Sequence, residues 1–293
     1  MLVWIARSRL YALARQGQRL TPWAGVLALS VAFNLLPAFL PLSEWFTGAV
    51  LAELAIPFGA TILLIALWVG LYERRPFSSL GFERAAALVR YGRGLLIGLL
   101  AFAGVVGLLA LFGVVTFEAA PAALVGTSAL PTIFLILPGW VVQGASEEIA
   151  TRGWMLPVIG ARYRPLLGIL SSTLFFTIMH AFNPGLSALA IINLTLYGLF
   201  AAFYALREGS LWGICAFHSI WNWAQGHVFG LSVSGLSLTT GTLLDLATRG
   251  PDVLTGGAFG PEGSLATTAV FGLGIAILLL FPMAKGKCST GST

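Results

Sequence analysis

Charge is what this 293-residue chain has least of: Asp, Glu, Lys and Arg together make up 9% of it, against roughly 25% in soluble domains. With 58% hydrophobic residues, that scarcity excludes a water-soluble core and leaves a polytopic membrane protein. Cysteine is almost absent. Cys215 lies in an apolar run and Cys288 near the C-terminus, so no disulfide framework is implied. There is no HExxH pair, no glycine-rich loop in a phosphate-binding context, no internal repeat, and no polar stretch long enough for a soluble domain. The formal net charge is +5. Because the Arg residues fall between apolar runs rather than among aromatics on one face, this balance reports membrane topology and no nucleic-acid partner.

A membrane helix needs about 20 mostly apolar residues. On that ruler the candidates are 23–42, 48–72, 94–116, 130–158, 165–182, 186–206, 211–230 and 265–283. The expected fold class is all-α, about eight transmembrane helices in one bundle over 23–283. Residues 1–22 form an amphipathic cytoplasmic segment rather than a cleaved signal, and 284–293 a cytoplasmic tail. The fourth run contains Pro138 and Pro157, which predict a kink or re-entrant end. Arg and Lys concentrate in alternate loops (Arg74, Arg75, Arg84, Arg90, Arg93, Arg162, Arg164, Arg207, Lys285, Lys287), leaving Arg249 on the other side. Both termini are therefore expected in the cytoplasm of a multi-pass cell-membrane protein, with 231–264 as an outer loop folded over the bundle.

Against this apolar background one stretch stands out, GASEEIATRGW at 144–154. A charge at bilayer depth costs ~2.5–3.5 kcal/mol on insertion scales. Glu147, Glu148 and Arg152 are therefore paired or used. Helical phase sets Glu148 against Arg152 at i and i+4 and leaves Glu147 pointing elsewhere. The plainer reading of Glu148–Arg152 is an ion pair that holds its helix. His180 and His218 also lie in apolar runs, and Asn222 follows His218 by one turn on the same face. His227 is nearly a half-turn out of phase and is the weakest candidate. Asn34, Glu53 and Asn193 read as interhelical hydrogen-bonding residues. Trp221 and Trp223 bracket Asn222 and are placed to wall a site.

A carboxylate among apolar helices makes a competent general base toward water. A His beside it shares the water and returns a proton to a leaving amine, while a second His and an Asn donate to a developing oxyanion. That is equipment for peptide hydrolysis without a cofactor. Glu147, His180 and His218 are also a ligand set for a divalent metal, Zn²⁺ first, and the spacing alone leaves both versions open.

Three motifs follow in order: EExxxR at Glu147, Glu148 and Arg152, FxxxH from Phe176 to His180, and HxxxN from His218 to Asn222. In these the chain resembles the CPBP family of membrane proteins, the type II CAAX prenyl proteases and the bacteriocin-processing and immunity-type proteins. The likeness covers roughly 130–230, and the Gly- and Pro-rich loop at 251–264 also resembles that of bacterial members. It implies an intramembrane endopeptidase, of a kind commonly labelled metalloprotease, acting on membrane-associated proteins or peptides in the lipid bilayer. In that reading Glu147 and His180 activate water, His218 and Asn222 form the oxyanion hole, and Glu148 and Arg152 support them. The alternatives are a non-catalytic immunity or scaffold protein of the same family and, further off, an ion-coupled transporter. The depth of the three motifs requires that the fourth span run on past Arg152. It also requires a cavity reaching them, expected from the cytoplasmic side.

Overall fold

The computed structural model describes residues 3–36, 50–118, 124–238 and 240–281. The tail at 284–293, with Lys285, Lys287 and Cys288, and parts of the runs 23–42, 48–72 and 265–283 lie outside them. Two short helices, α1 (Val3–Ala6) and α2 (Arg9–Ala14), precede α3 (Trp23–Leu35), α4 (Val50–Leu71) and α5 (Ala87–Leu111). Then follow α6 (Leu130–Glu148), α7 (Leu156–Arg162), α8 (Pro165–Met179), α9 (Ala188–Glu208), α10 (Trp212–Trp223), α11 (Asp252–Thr255) and α12 (Leu265–Leu280). Strands β1 (Val115–Phe117) and β2 (Leu246–Thr248) pair antiparallel with Thr116 opposite Ala247, tying the loop after α5 to the loop after α10.

Four described helices are long and apolar enough to cross a membrane: α4, α5, α9 and a continuous 37-residue rod from Gly126 to Arg162. The helices α3, α8 and α12 are apolar but shorter. At roughly 1.5 Å per residue the rod exceeds the ~30 Å hydrocarbon layer. Of the kink or re-entrant end expected from its prolines, the re-entrant end is not formed, since the helix runs on through Pro138 and Pro157. Between α6 and α7 the rod widens into a π-helical segment, Ile149–Met155. The cause is local. Pro157 has no N–H to offer the carbonyl of Gly153, and its ring presses on that carbonyl, so the wider turn relieves both.

Without a hydrophobic force between helices in lipid, close approach rests on small residues. Gly94 and Gly98 of α5 lie against α10, where an added Cβ would stand 2.1 Å from the Gly213 carbonyl and 2.7 Å from that of Phe217. Gly144 of α6 meets α10 at Ser219, with its virtual Cβ 2.8 Å from the Ser219 hydroxyl and 2.9 Å from its amide. These contacts seat α10 deep between α5 and α6.

The Arg-rich end is locked by a buried cluster. Glu73 takes Arg75 Nε at 2.8 Å, Thr21 Oγ1 at 2.7 Å and Trp154 Nε1 at 3.1 Å. At that end Leu10, Tyr11, Leu13 and Ala14 of α2 are buried, and Ser8 donates to the Leu206 carbonyl at 2.7 Å. The segment from 228 to 263 closes over the other end.

Candidate active site

Two neighbouring carboxylates at the end of α6 have divergent surroundings. Glu148 and Arg152 are fully buried and pair at 3.1 Å, as helical phase predicts. The same Glu148 Oε1 also accepts from the Tyr197 hydroxyl at 2.8 Å and from His218 Nδ1 at 2.9 Å. Arg152 is held further by the Thr151 hydroxyl at 2.8 Å, by the Gly198 carbonyl at 3.3 Å and by the face of Phe176 at 4.7 Å. Glu148 is thus more than the partner of Arg152: it orients the imidazole of His218.

Glu147 turns the other way, into a cavity of about 320 Å³. Its Oε1 accepts from Gln143 Nε2 at 2.7 Å, and Gln143 Oε1 accepts from Asn222 Nδ2 at 3.0 Å. Its Oε2 accepts no hydrogen bond and faces His218 Nε2 at 3.8 Å. That distance is too long for a hydrogen bond, but it brings base and imidazole to one point of the wall. With Nδ1–H committed to Glu148, His218 offers its Nε2 to the cavity.

His180 sits just past the C-terminus of α8, with Nδ1 bound to the Phe176 carbonyl at 2.9 Å. The Phe and His of FxxxH therefore serve each other, carbonyl to ring. Glu147, His180, His218 and Asn222 all line the one cavity, and Trp221 joins them. His180 makes no hydrogen bond or ion pair with Glu147, so whatever links them must occupy the cavity. Trp223 instead donates to the Ile133 carbonyl at 2.9 Å.

Glu147, His180 and His218 do not form a coordination sphere. Among the described residues no group of three His, Cys, Asp or Glu is gathered to hold a metal ion. Nδ1 of each histidine is held, His180 by the Phe176 carbonyl and His218 by Glu148, which leaves both Nε2 atoms open to another partner.

The remaining intramembrane polar residues divide. Asn193 does bond across elements, donating to the Glu262 and Ser264 carbonyls at 2.7 and 2.8 Å and accepting from Thr268 at 2.6 Å. Asn34 instead donates within its own helix to Ser30 at 2.8 Å. Glu53 is exposed near the start of α4 and has no partner among the described residues. Among the described residues, Asn193 alone of the three plays the expected interhelical role. His227 is buried away from the cavity, bound to the Gly241 carbonyl at 3.1 Å, and fastens the loop.

Sequence reasoning missed Gln143, Tyr197 and Glu262. Gln143 had a signal, standing one turn before Glu147 in an apolar run. Tyr197 had none, since its partner is distant in sequence. Glu262 reaches the cavity only because its loop folds back.

The cavity extends beyond the motif residues. It is lined by Asn183, Val233, Ser234, Leu236 and Glu262, and by no residue of the Arg-rich end.

Residues 128–224 match the family described as type II CAAX prenyl endopeptidase Rce1-like. The matched stretch runs from the start of α6 through α10 and holds all three motifs. No curated protein and no solved structure matches the chain.

Proposed function

We propose that the chain, whose residues 128–224 match the type II CAAX prenyl endopeptidase Rce1-like family, is a glutamate-dependent intramembrane endopeptidase. The observation that carries it is the division of labour between Glu147 and Glu148. One carboxylate is spent on Arg152, Tyr197 and His218, while the other opens on the cavity.

In this mechanism Glu147 takes a proton from a water that attacks the scissile carbonyl. Gln143 fixes the rotamer of Glu147 through Oε1, so that Oε2 is the basic atom. His218 carries a proton on Nε2 when the tetrahedral oxyanion forms, and the anionic Glu148 behind its Nδ1 stabilises that imidazolium. Asn222 has a second amide hydrogen beyond the one given to Gln143, and that hydrogen is the other oxyanion donor. His180 holds the same water through Nε2, the nitrogen not bound to Phe176, and the proton taken by Glu147 is relayed across that Nε2 to the leaving amine, which leaves Glu147 ionised again. No step is routed through a metal.

The topology that suits this chemistry has eight spans, with both termini and the Arg-rich end in the cytoplasm. The substrates are membrane-associated polypeptides.

The test is cleavage of membrane peptides by purified wild type and Glu147→Gln, both checked for an unchanged melting temperature. Loss of a general base lowers turnover by ~10²–10⁴-fold. A folded Gln variant that keeps most of the activity sinks the assignment. Stoichiometric zinc required for activity would replace the water-activation scheme with a metal one.

A further inference from the structure

Glu262 is a third carboxylate in the cavity, contributed by a loop outside the matched core and given no part in the hydrolytic scheme. Its position is built. Gly256 and Gly260 adopt φ of +87° and +89°, and a Cβ on Gly260 would stand 2.3 Å from the Ser232 carbonyl. Asn193 clamps the Glu262 carbonyl at 2.7 Å. The carboxyl group is aimed as well. Its Oε2 accepts from the Ser234 amide, from the Ser234 hydroxyl at 2.9 Å and from Gln225 Nε2 at 3.3 Å. All these bonds fall on one oxygen, which leaves Oε1 free of them. Among the described residues the cavity is lined by Glu147 and Glu262 together with His180 and His218, and by no Lys or Arg. Phe58, Leu236 and Phe271 give it apolar walls.

We propose that Glu262 determines specificity by binding a cationic group of the substrate, a lysine or arginine side chain near the scissile bond, through its free Oε1. The inference rests on the peptidase reading for its substrate class. A cavity with two carboxylates and no fixed cation attracts such a group and repels a substrate's terminal carboxylate. It therefore favours cleavage within a basic, apolar segment over trimming at a carboxyl terminus. The apolar walls hold the methylene stem and the carboxylate holds the head, the division that long basic side chains require. A charge-assisted hydrogen bond away from bulk water is worth ~1.5–3 kcal/mol, which is about tenfold or more in affinity.

The experiment measures binding apart from hydrolysis. The full-length Glu147→Gln protein in detergent micelles is titrated with fluorescent apolar peptides. These are identical but for lysine or norleucine at one position, which is moved along the sequence. At one position lysine should bind about tenfold more tightly. Adding Glu262→Gln should bring that ratio to about one, and adding Glu262→Lys should invert it toward a glutamate-bearing peptide. Equal affinities at every position, or a lysine preference that survives Glu262→Gln and is not inverted by Glu262→Lys, overturns the assignment. If wild type binds these peptides and cleaves none, the peptidase reading falls while the binding ratios still decide the role of Glu262.

Discussion

At the scale of single residues, the crowding of three donors onto Glu148 Oε1 decides what each substitution does. Arg152→Ala leaves a fully buried carboxylate without its guanidinium, and breaking such a pair costs ~3–5 kcal/mol. A marked fall in melting temperature and poor yield are expected. An Arg152→Ala protein of normal stability but no activity would instead move Arg152 into the reacting set. Tyr197→Phe removes a neutral donor and leaves the ion pair in place. Turnover should fall about tenfold with little change in KM, as His218 loses part of its fixed partner. An unchanged turnover would show that Arg152 alone holds Glu148 in place. Because Asn222 reaches Glu147 only through Gln143, Asn222→Ala and Gln143→Ala should be strongly non-additive. Rate losses that simply multiply in the double variant would dissolve that chain.

At the scale of elements, the site depends on how closely α6 and α10 approach. Gly144→Ala places a methyl 2.8 Å from the Ser219 hydroxyl and 2.9 Å from its amide. The helices must separate, at an overpacking cost of ~1–3 kcal/mol. His218, next in chain to Ser219, then draws away from Glu148, so stability and turnover fall together. Ser219→Ala should not restore either, because the backbone amide still blocks the methyl. Full rescue by Ser219→Ala would mean that only the hydroxyl was in the way. The π segment has a comparable role at the other end of the motif. It carries Arg152 beneath Glu148 and delivers Trp154 to Glu73, joining the site to the locked Arg-rich end.

For the whole molecule, the loop over the cavity makes binding depend on pH. Burial raises the Glu262 carboxyl above the ordinary carboxylate range, and the hydrogen bonds from Ser234, then the charge of His180, oppose that rise. Since the folded pKa is raised, the neutral form stabilises the fold. That contribution is complete below the unfolded value and is lost as pH rises through the folded one. The melting temperature of wild type minus that of Glu262→Gln should therefore grow as pH is lowered through this window. Over the same window the lysine preference of wild type should decline while that of Glu262→Gln stays near one. A difference in melting temperature that is flat with pH would show that Glu262 keeps its ordinary proton affinity.

Much of this was written in the sequence. The scarcity of charge determined that the chain lives in a bilayer, and the length of each apolar run located most helices to within a few residues. The i, i+4 phase of Glu148 and Arg152 determined which carboxylate is paired, because both residues belong to one helix and local geometry suffices. Tertiary structure decided the rest. It decided that Glu148 also holds His218, because Gly144 lets α10 approach α6, and an approach between distant segments has no periodicity to read. Pro157 announced an irregularity in its own run, because its missing N–H is a local matter, but not that the helix would carry on through it as a π segment. Tertiary structure also set Glu262 in the wall of the cavity, because only a folded loop can carry a residue so far along the chain back to the site.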